Sequence, residues 1–468
     1  MAKIIVLGSG ICGLGAATLL ARDGHDVLML ERDSNLPPDT PRDAWDDWAR
    51  KGVAQFHQPH NLMPGLRLLL EAELPELQTE LIDAGAARLD MLDPLPPQVT
   101  DRSPRPIDAK LWTYTARRPA AEWVFAKLAG ADPRIRMRRG VRVESLIEGA
   151  RVDARVPHVV GVRTTDGETL RADLVVDATG RGSRAPAWLA GIGARAPHEE
   201  RSECAFVYHS RYFTGRVPKR IGPVLMPIGT IAALTLPGDH STWSVTIQAI
   251  TSDTALKRLR NVDAWTSVIR ACPLHAHWLD GDPISDVLSM SGALDRYRRF
   301  VVDGAPIVTG FVAIADAWAC TNPSAGRGIT VGMMHAVRLR DALRQQRGDD
   351  WSSFAVQFDA VTEAEITPWY RAQLAADQTR VAQIDALRAG RVPEPSSDPM
   401  SRRVTALFGA MLGDAELYRA AMEYVGTVSP IQDILRRPDV AAAIDRAGDV
   451  QPSAVPGPSR EALLDLVR

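Results

Sequence analysis

The stretch KIIVLGSGICGLGAATLLARDGHDVLMLERD, beginning at Lys3, constrains the fold more than any other part of the chain. Lys3 to Leu7 reads as a short buried strand. Gly8, Gly10 and Gly13 then match G-x-G-x-x-G, and Gly15 adds a fourth small residue where a helix would pack closely. The alanine-rich run to Arg22 predicts a helix, and Val27 to Leu30 a second strand ending in Glu31. Together these make a βαβ unit whose helix N-terminus can face a pyrophosphate. An acid ending the second strand can accept hydrogen bonds from a ribose, and it opposes a 2'-phosphate. A glycine-rich turn without a ligand explains neither three glycines at this spacing nor the acid.

Two later segments have the same character. Leu174 to Val176 is an apolar run, as a buried parallel strand requires, and it leads into DATGRGS. Ile307 to Ile314 predicts another buried strand, followed by DAWACTNPSAGRGIT and a helix from about Ile329. Asp316 is placed to hold a polar part of a ligand. Pro323 and Gly326 shape a turn, and Gly328 lets backbone approach a ring. Gly8–Gly13, Asp177–Ser183 and Asp316–Gly328 would then meet at the carboxyl ends of one sheet.

The remaining chain predicts what surrounds that sheet. Residues 64–84 read as one leucine-rich helix, Pro94 to Pro106 as a surface connector, and YTARRPAAEWVFAKLAG as a helix with Arg117 and Arg118 at its start. Those two arginines could meet phosphate or substrate, or simply solvent. Residues 140–176 predict strands with a hairpin at Asp166–Gly167. Residues 203–249 alternate as a mostly antiparallel sheet that could roof a pocket. Residues 350–445 read as largely helical, broken by GRVPEPSSDP, and DVQPSAVPGPS as a flexible linker.

Composition limits the function. A formal net charge of −2 gives no basic face for nucleic acid. Cys12, Cys204, Cys272 and Cys320 form no CxxC pair, which fits reduced thiols and a cytoplasmic location. No apolar run is long enough for an integral membrane segment. His57 and His60 lack a third ligand, so no metal site is expected.

RKGVAQFHQPH, ADLVVDATGRGSRAPAWL and DAWACTNPSAGRGITVG, in this order behind the glycine turn, resemble the FAD-dependent monooxygenases related to aromatic hydroxylases. The resemblance covers roughly residues 1–380 and is nearest to the polyketide-tailoring flavin epoxidase and hydroxylase branch. It implies an α/β fold: a Rossmann-like FAD-binding domain interlocked with a mostly antiparallel β-sheet substrate domain, plus a helical C-terminal region. The implied division is FAD-binding domain over 1–195 and 301–348, substrate domain over 196–300, helical region over 349–450, and a flexible linker and tail over 451–468.

The resemblance also implies roles. Gly8, Gly10 and Gly13 would surround the FAD pyrophosphate and Glu31 the adenosine ribose, with Cys12 and Arg32 beside them. Arg118 would contact FAD. Asp316 would bind the ribityl or pyrophosphate region, and Pro323, Gly326, Gly328 and Ile329 would lie beside the isoalloxazine ring. Gln55 and His60 match the loop near the cofactor. Tyr208 and Arg211, with Asp177 and His209, are candidates to face the pocket. No catalytic base is identified.

The implied reaction captures O2 as a flavin hydroperoxide and epoxidises or hydroxylates an apolar small-molecule substrate. NADH or NADPH would supply electrons directly or through a separate flavin reductase. A reductase or dehydrogenase acting on an alkene, and a non-catalytic flavin-binding protein, are the competing readings. This sequence departs from the usual pattern in two places. Ala315 stands where the relatives carry glycine, and Thr179–Gly180 replaces an aspartate–glycine pair. It also lacks the W-x-W-x-I-P stretch of tryptophan halogenases.

Overall fold

A computed structural model describes residues 1–151, 155–448 and 455–468. Its centre is a five-stranded parallel sheet in the order 311–313, 174–177, 3–7, 26–31, 135–139. Alternation along the first strand separates two cores. Ile4 and Val6 face helices Ile11–Arg22, Arg118–Ala131 and Gly328–Gln345. Ile5 and Leu7 face a three-stranded sheet of Val143–Glu148, Val159–Thr164 and Thr169–Arg171, with Trp188 and Tyr297. The expected hairpin turn at Asp166–Gly167 joins the last two of these strands. Apolar residues on both faces are why the central strands read as unbroken hydrophobic runs.

The second lobe is the expected antiparallel sheet: Phe206–Thr214, Leu225–Ile228, Ile231–Pro237 and Thr242–Ile250. One face packs on Trp243, Trp265 and Val268; the other looks toward the parallel sheet's carboxyl ends. Helices Trp351–Glu365 and Thr367–Arg388 cross back over both lobes, and four shorter helices between Pro399 and Ala447 build a separate core around Trp369, Leu417 and Tyr418.

The structure corrects three expectations. The helix expected over 64–84 is two, Pro64–Glu73 and Glu76–Asp83, because Pro75 supplies no amide to continue the first. The strand expected over Ile307 to Ile314 is only Phe311–Ala313; Ile307 bonds Phe300 and Thr309 bonds Val159 instead. The expected tail is partly ordered. Arg460–Leu466 is a helix that buries Leu463 and Val467 against the second lobe, and Arg460 forks onto Asp253 at 2.6 and 2.9 Å. Residues 449–454 of that stretch lie outside the described residues. Among the described residues, no helix is long and apolar enough to cross a membrane.

Candidate functional site

The glycine turn is built for close approach. Gly8 has φ +94°, and a Cβ there would sit 2.7 Å from the Ala178 carbonyl oxygen. A Cβ on Gly13 would sit 2.2 Å from the Gly8 carbonyl oxygen. Gly10, by contrast, faces open space. It caps the first helix without a side chain, and the first intrahelical bond is Leu14 N to Gly10 O. The amides of Ile11, Cys12 and Gly13 are therefore free at the rim, which suits a phosphate.

Glu31 ends the second strand as expected, but it is already engaged. Its carboxylate accepts from Ser9 N and Ser9 Oγ, each at 2.8 Å, and from Asp33 N at 2.9 Å. Arg50 lies 3.1 Å from Glu31 and 3.3 Å from Glu122, and also donates to the Ser9 carbonyl. Burial raises the Glu31 carboxyl, but Arg50 and these donors outweigh it and hold the group below the usual value. The stretch RKGVAQFHQPH begins at Arg50, but nothing in it assigns this residue a role. Its partners become neighbours only after folding.

The two adjacent arginines divide. Arg117 turns away into a buried pair with Asp239, with Nη2 donating at 2.8 Å. Arg118 lines the cavity, donates Nε to Glu122 at 3.2 Å and Nη1 to His60 Nε2 at 3.0 Å. His60 Nδ1 lies 2.8 Å from the Gln58 carbonyl, so that nitrogen carries the proton and Nε2 accepts. Burial and the Arg118 guanidinium push His60 down to about 3, leaving it a neutral acceptor that aims Arg118.

The second and third walls are tied together. Asp177 is fully buried and accepts from Thr179 N, Thr179 Oγ and Ser183 Oγ, so it shapes the turn rather than facing the cavity. Arg181 lies 3.5 Å from Asp316, and Arg296 donates to the carbonyls of both Arg181 and Asp316. Ala315 has φ +50°, the left-handed conformation that glycine adopts without cost. Its amide donates to His335 Nδ1 at 3.3 Å, and His335 Nε2 reaches Thr362 Oγ1 at 3.1 Å. Burial pushes His335 to about 3, which keeps it a neutral pin under this turn.

One cavity of about 570 Å³ joins these walls. At one end lie Gly8, Gly10, Cys12, Gly13, Glu31 and Arg32; Gly180 and Asp316 line its middle; Pro323, Gly326, Gly328 and Ile329 lie further on. Burial pushes the Cys12 thiol up to about 12, so it is no nucleophile at neutral pH. Gln55 and His60 line the cavity too, His60 beside Arg118, and between the second lobe and helix Thr367–Arg388 it is lined by Tyr208, Ser210, Leu234, Trp369 and Gln373.

The cavity face of the roof is polar. Tyr208 pairs with Gln248 and Ser210 with Thr246 across adjacent strands. Thr246 Oγ1 donates to Ser210 Oγ, which donates to Gln58 Oε1 at 3.1 Å. Tyr208 Oη donates to Asn322 Oδ1, and Asn322 Nδ2 donates to Asp377 at 3.0 Å. Arg211 and His209 fall on the opposite side of this network. Arg211, expected at the pocket, bonds the Ser285 carbonyl at 3.1 Å, and His209 bonds Ser289. Strand alternation could have separated Tyr208 from Arg211, since they lie three apart and so on opposite faces. Asn322, Gln373 and Asp377 carried no such signal. Among the described residues no histidine, cysteine and carboxylate cluster could hold a metal.

The model of an NAD(P)-binding Rossmann-like domain matches residues 6–63. Over 387 residues the chain is 25% identical to Protein Rv3254 of Mycobacterium tuberculosis, covering 78% of this chain and 77% of that one. Its structure matches PqsL of Pseudomonas aeruginosa, described as a probable FAD-dependent monooxygenase, with TM-score 0.57 and 18% identity over 82% of this chain and 96% of that one. The two chains share a fold. The flavin-dependent brominase Bmp2, as a triple mutant, shares it with TM-score 0.56 and 15% identity, covering 95% of this chain and 98% of that one. Within this fold, the cavity runs from the glycine turn to the space beneath the antiparallel sheet.

Proposed function

We propose that this chain is an FAD-dependent monooxygenase that hydroxylates or epoxidises a small organic metabolite, as in the polyketide-tailoring branch. One observation carries the reading: a single cavity connects the glycine cradle to a roofed chamber. Its volume falls within the range of about 300–1,000 Å³ typical of ligand sites. The residues fit FAD. Gly8 and Gly13 leave no room for side chains, Gly10 leaves the helix amides open, and Arg118 is aimed into the cavity by Glu122 and His60.

In this role the first helix and Arg118 bind phosphate, and Asp316 accepts from the ribityl chain. Pro323, Gly326, Gly328 and Ile329 support the ring. FAD, when bound, supplies reductive activation of O2, with electrons from NADH or NADPH directly or through a separate reductase. The chain's own contribution is to exclude water and orient the acceptor. Tyr208, Ser210 and Gln58 hold a polar group of the substrate while Leu234, Met290, Trp369 and Tyr370 cover its apolar part.

Purified protein should carry FAD. Turnover with NADPH and a candidate acceptor under labelled O2 should place one labelled oxygen in the product. Product formed without O2, and without label, would replace this reading with an alkene reductase or dehydrogenase.

A further inference from the structure

The cavity wall contains a buried cation whose counter-charge is missing. Arg327 is 9% exposed and lines the cavity between Gly326 and Gly328. Its guanidinium lies 3.9 Å from the Tyr424 ring centre and 5.5 Å from that of Trp369. Nη2 donates to the Tyr424 carbonyl at 3.1 Å, while Nε is buried with no hydrogen-bond partner. Among the described residues no carboxylate pairs with it.

Other buried arginines are treated differently. Arg50, Arg117, Arg118, Arg298, Arg340 and Arg419 each hold a carboxylate. Arg296 also lacks one and its Nε is likewise unpartnered, but both its terminal nitrogens donate to backbone carbonyls of the two turns it ties together. Burying an unpaired guanidinium is costly, and aromatic faces offset only part of that cost. The helix beginning at Gly328 adds positive potential at the same point. Its first intrahelical bond is Val331 N to Arg327 O, so the Gly328 and Ile329 amides are free where both residues line the cavity.

We propose that Arg327 binds an acidic group of the substrate, so that the molecule taken up is an organic acid with an apolar body rather than a neutral hydrocarbon-like metabolite. The carboxylate would meet the Arg327 guanidinium, and the apolar body would lie against Trp369 and the roof. The inference rests on the monooxygenase reading for calling this occupant the substrate. The counter-charge itself follows from the buried guanidinium.

Three acid–amide pairs test it: benzoate with benzamide, 2-naphthoate with 2-naphthamide, and cinnamate with cinnamamide. Binding to the flavin-loaded protein is measured by calorimetry, without reductant. Wild type should bind at least one acid more tightly than its amide by about tenfold or more, and Arg327→Met should erase that preference while leaving amide affinity unchanged. Arg327→Lys should retain part of it, and Arg327→Gln serves if the methionine variant is insoluble. The proposal is overturned if wild type prefers no acid in any pair, or if the preference survives removal of the charge. It is also overturned if Arg327→Met loses FAD or shifts the flavin reduction potential with the preference intact, since the counter-charge then belongs to the cofactor. Protein that never carries FAD would sink the monooxygenase reading instead, and the same titrations on the protein as purified, which need no turnover, then judge the acid site separately.

Discussion

Replacing Arg50 by methionine should destabilise the protein in a pH-dependent way. The arginine side chain is 1% exposed and sits 3.1 Å from Glu31, 3.3 Å from Glu122 and 3.7 Å from Asp33. Glu122 keeps Arg118 at 3.2 Å, but Glu31 loses the cation that contacts it. Removing one partner from a buried ion pair costs about 3–5 kcal/mol when the other stays charged. In the wild type the Glu31 carboxyl is held below its ordinary value. Its contribution is therefore present above the unfolded pKa and lost as pH falls through the folded one. In the variant the Glu31 pKa rises, so lowering the pH lets the carboxylate take a proton and relieves the stranded charge. The wild-type–variant difference in unfolding free energy should thus be full at pH 8 and shrink by about 1–2 kcal/mol at pH 5. Urea unfolding followed by far-UV circular dichroism at both pH values, with FAD at one fixed excess, measures this. A difference that is small at pH 8, or equal at both pH values, would refute the assignment of Arg50 as the charge that makes Glu31 tolerable.

Gly10→Ala should fold normally because its Cβ meets open space, yet lose FAD affinity, whereas Gly8→Ala should unfold or fail to accumulate; FAD absorbance and thermal melting separate the two. Asp239→Asn should cost about 3 kcal/mol of stability through Arg117 without changing FAD affinity, while Arg118→Met should lower FAD affinity. Ala315→Gly should gain about 0.5–1 kcal/mol, relief of the left-handed φ exceeding the added chain entropy, as read by urea unfolding. Burial pushes Asp377 up to about 6, so folding disfavours its charged form as pH rises from the unfolded value through 6. Asp377→Asn should accordingly be more stable than wild type at pH 8, and this gain should disappear at pH 4.

What the sequence discloses and what it hides follow from the range of the interactions. The G-x-G-x-x-G turn, the apolar runs at residues 3–7 and 174–177, and the alternation after Phe206 are local patterns, and each became the element it predicts. The helix break at Leu74–Pro75 is equally local, but the leucine spacing continues through it and masks it. Arg50 bridging Ser9, Glu31 and Glu122, Arg296 stapling Arg181 to Asp316, and Arg327 between Tyr424 and Trp369 join residues far apart in the chain. Polar residues of this kind look like solvent-facing charge until topology supplies their partners. The departure at Ala315 is visible in the sequence, but its consequence lies in the backbone: the alanine adopts the left-handed φ that glycine takes without cost.

The strand at 311–313 that flanks 174–177 also has a temporal consequence. A ribosome adding about 5–20 residues per second needs roughly 15–60 s between the glycine turn and the wall that completes its cavity. Throughout that interval the whole antiparallel lobe is synthesised while the nascent cradle has no third side. A ligand that needs all three walls can therefore be held only after about two thirds of translation. Chains halted earlier would present an apolar sheet edge to chaperones instead of a closed cavity.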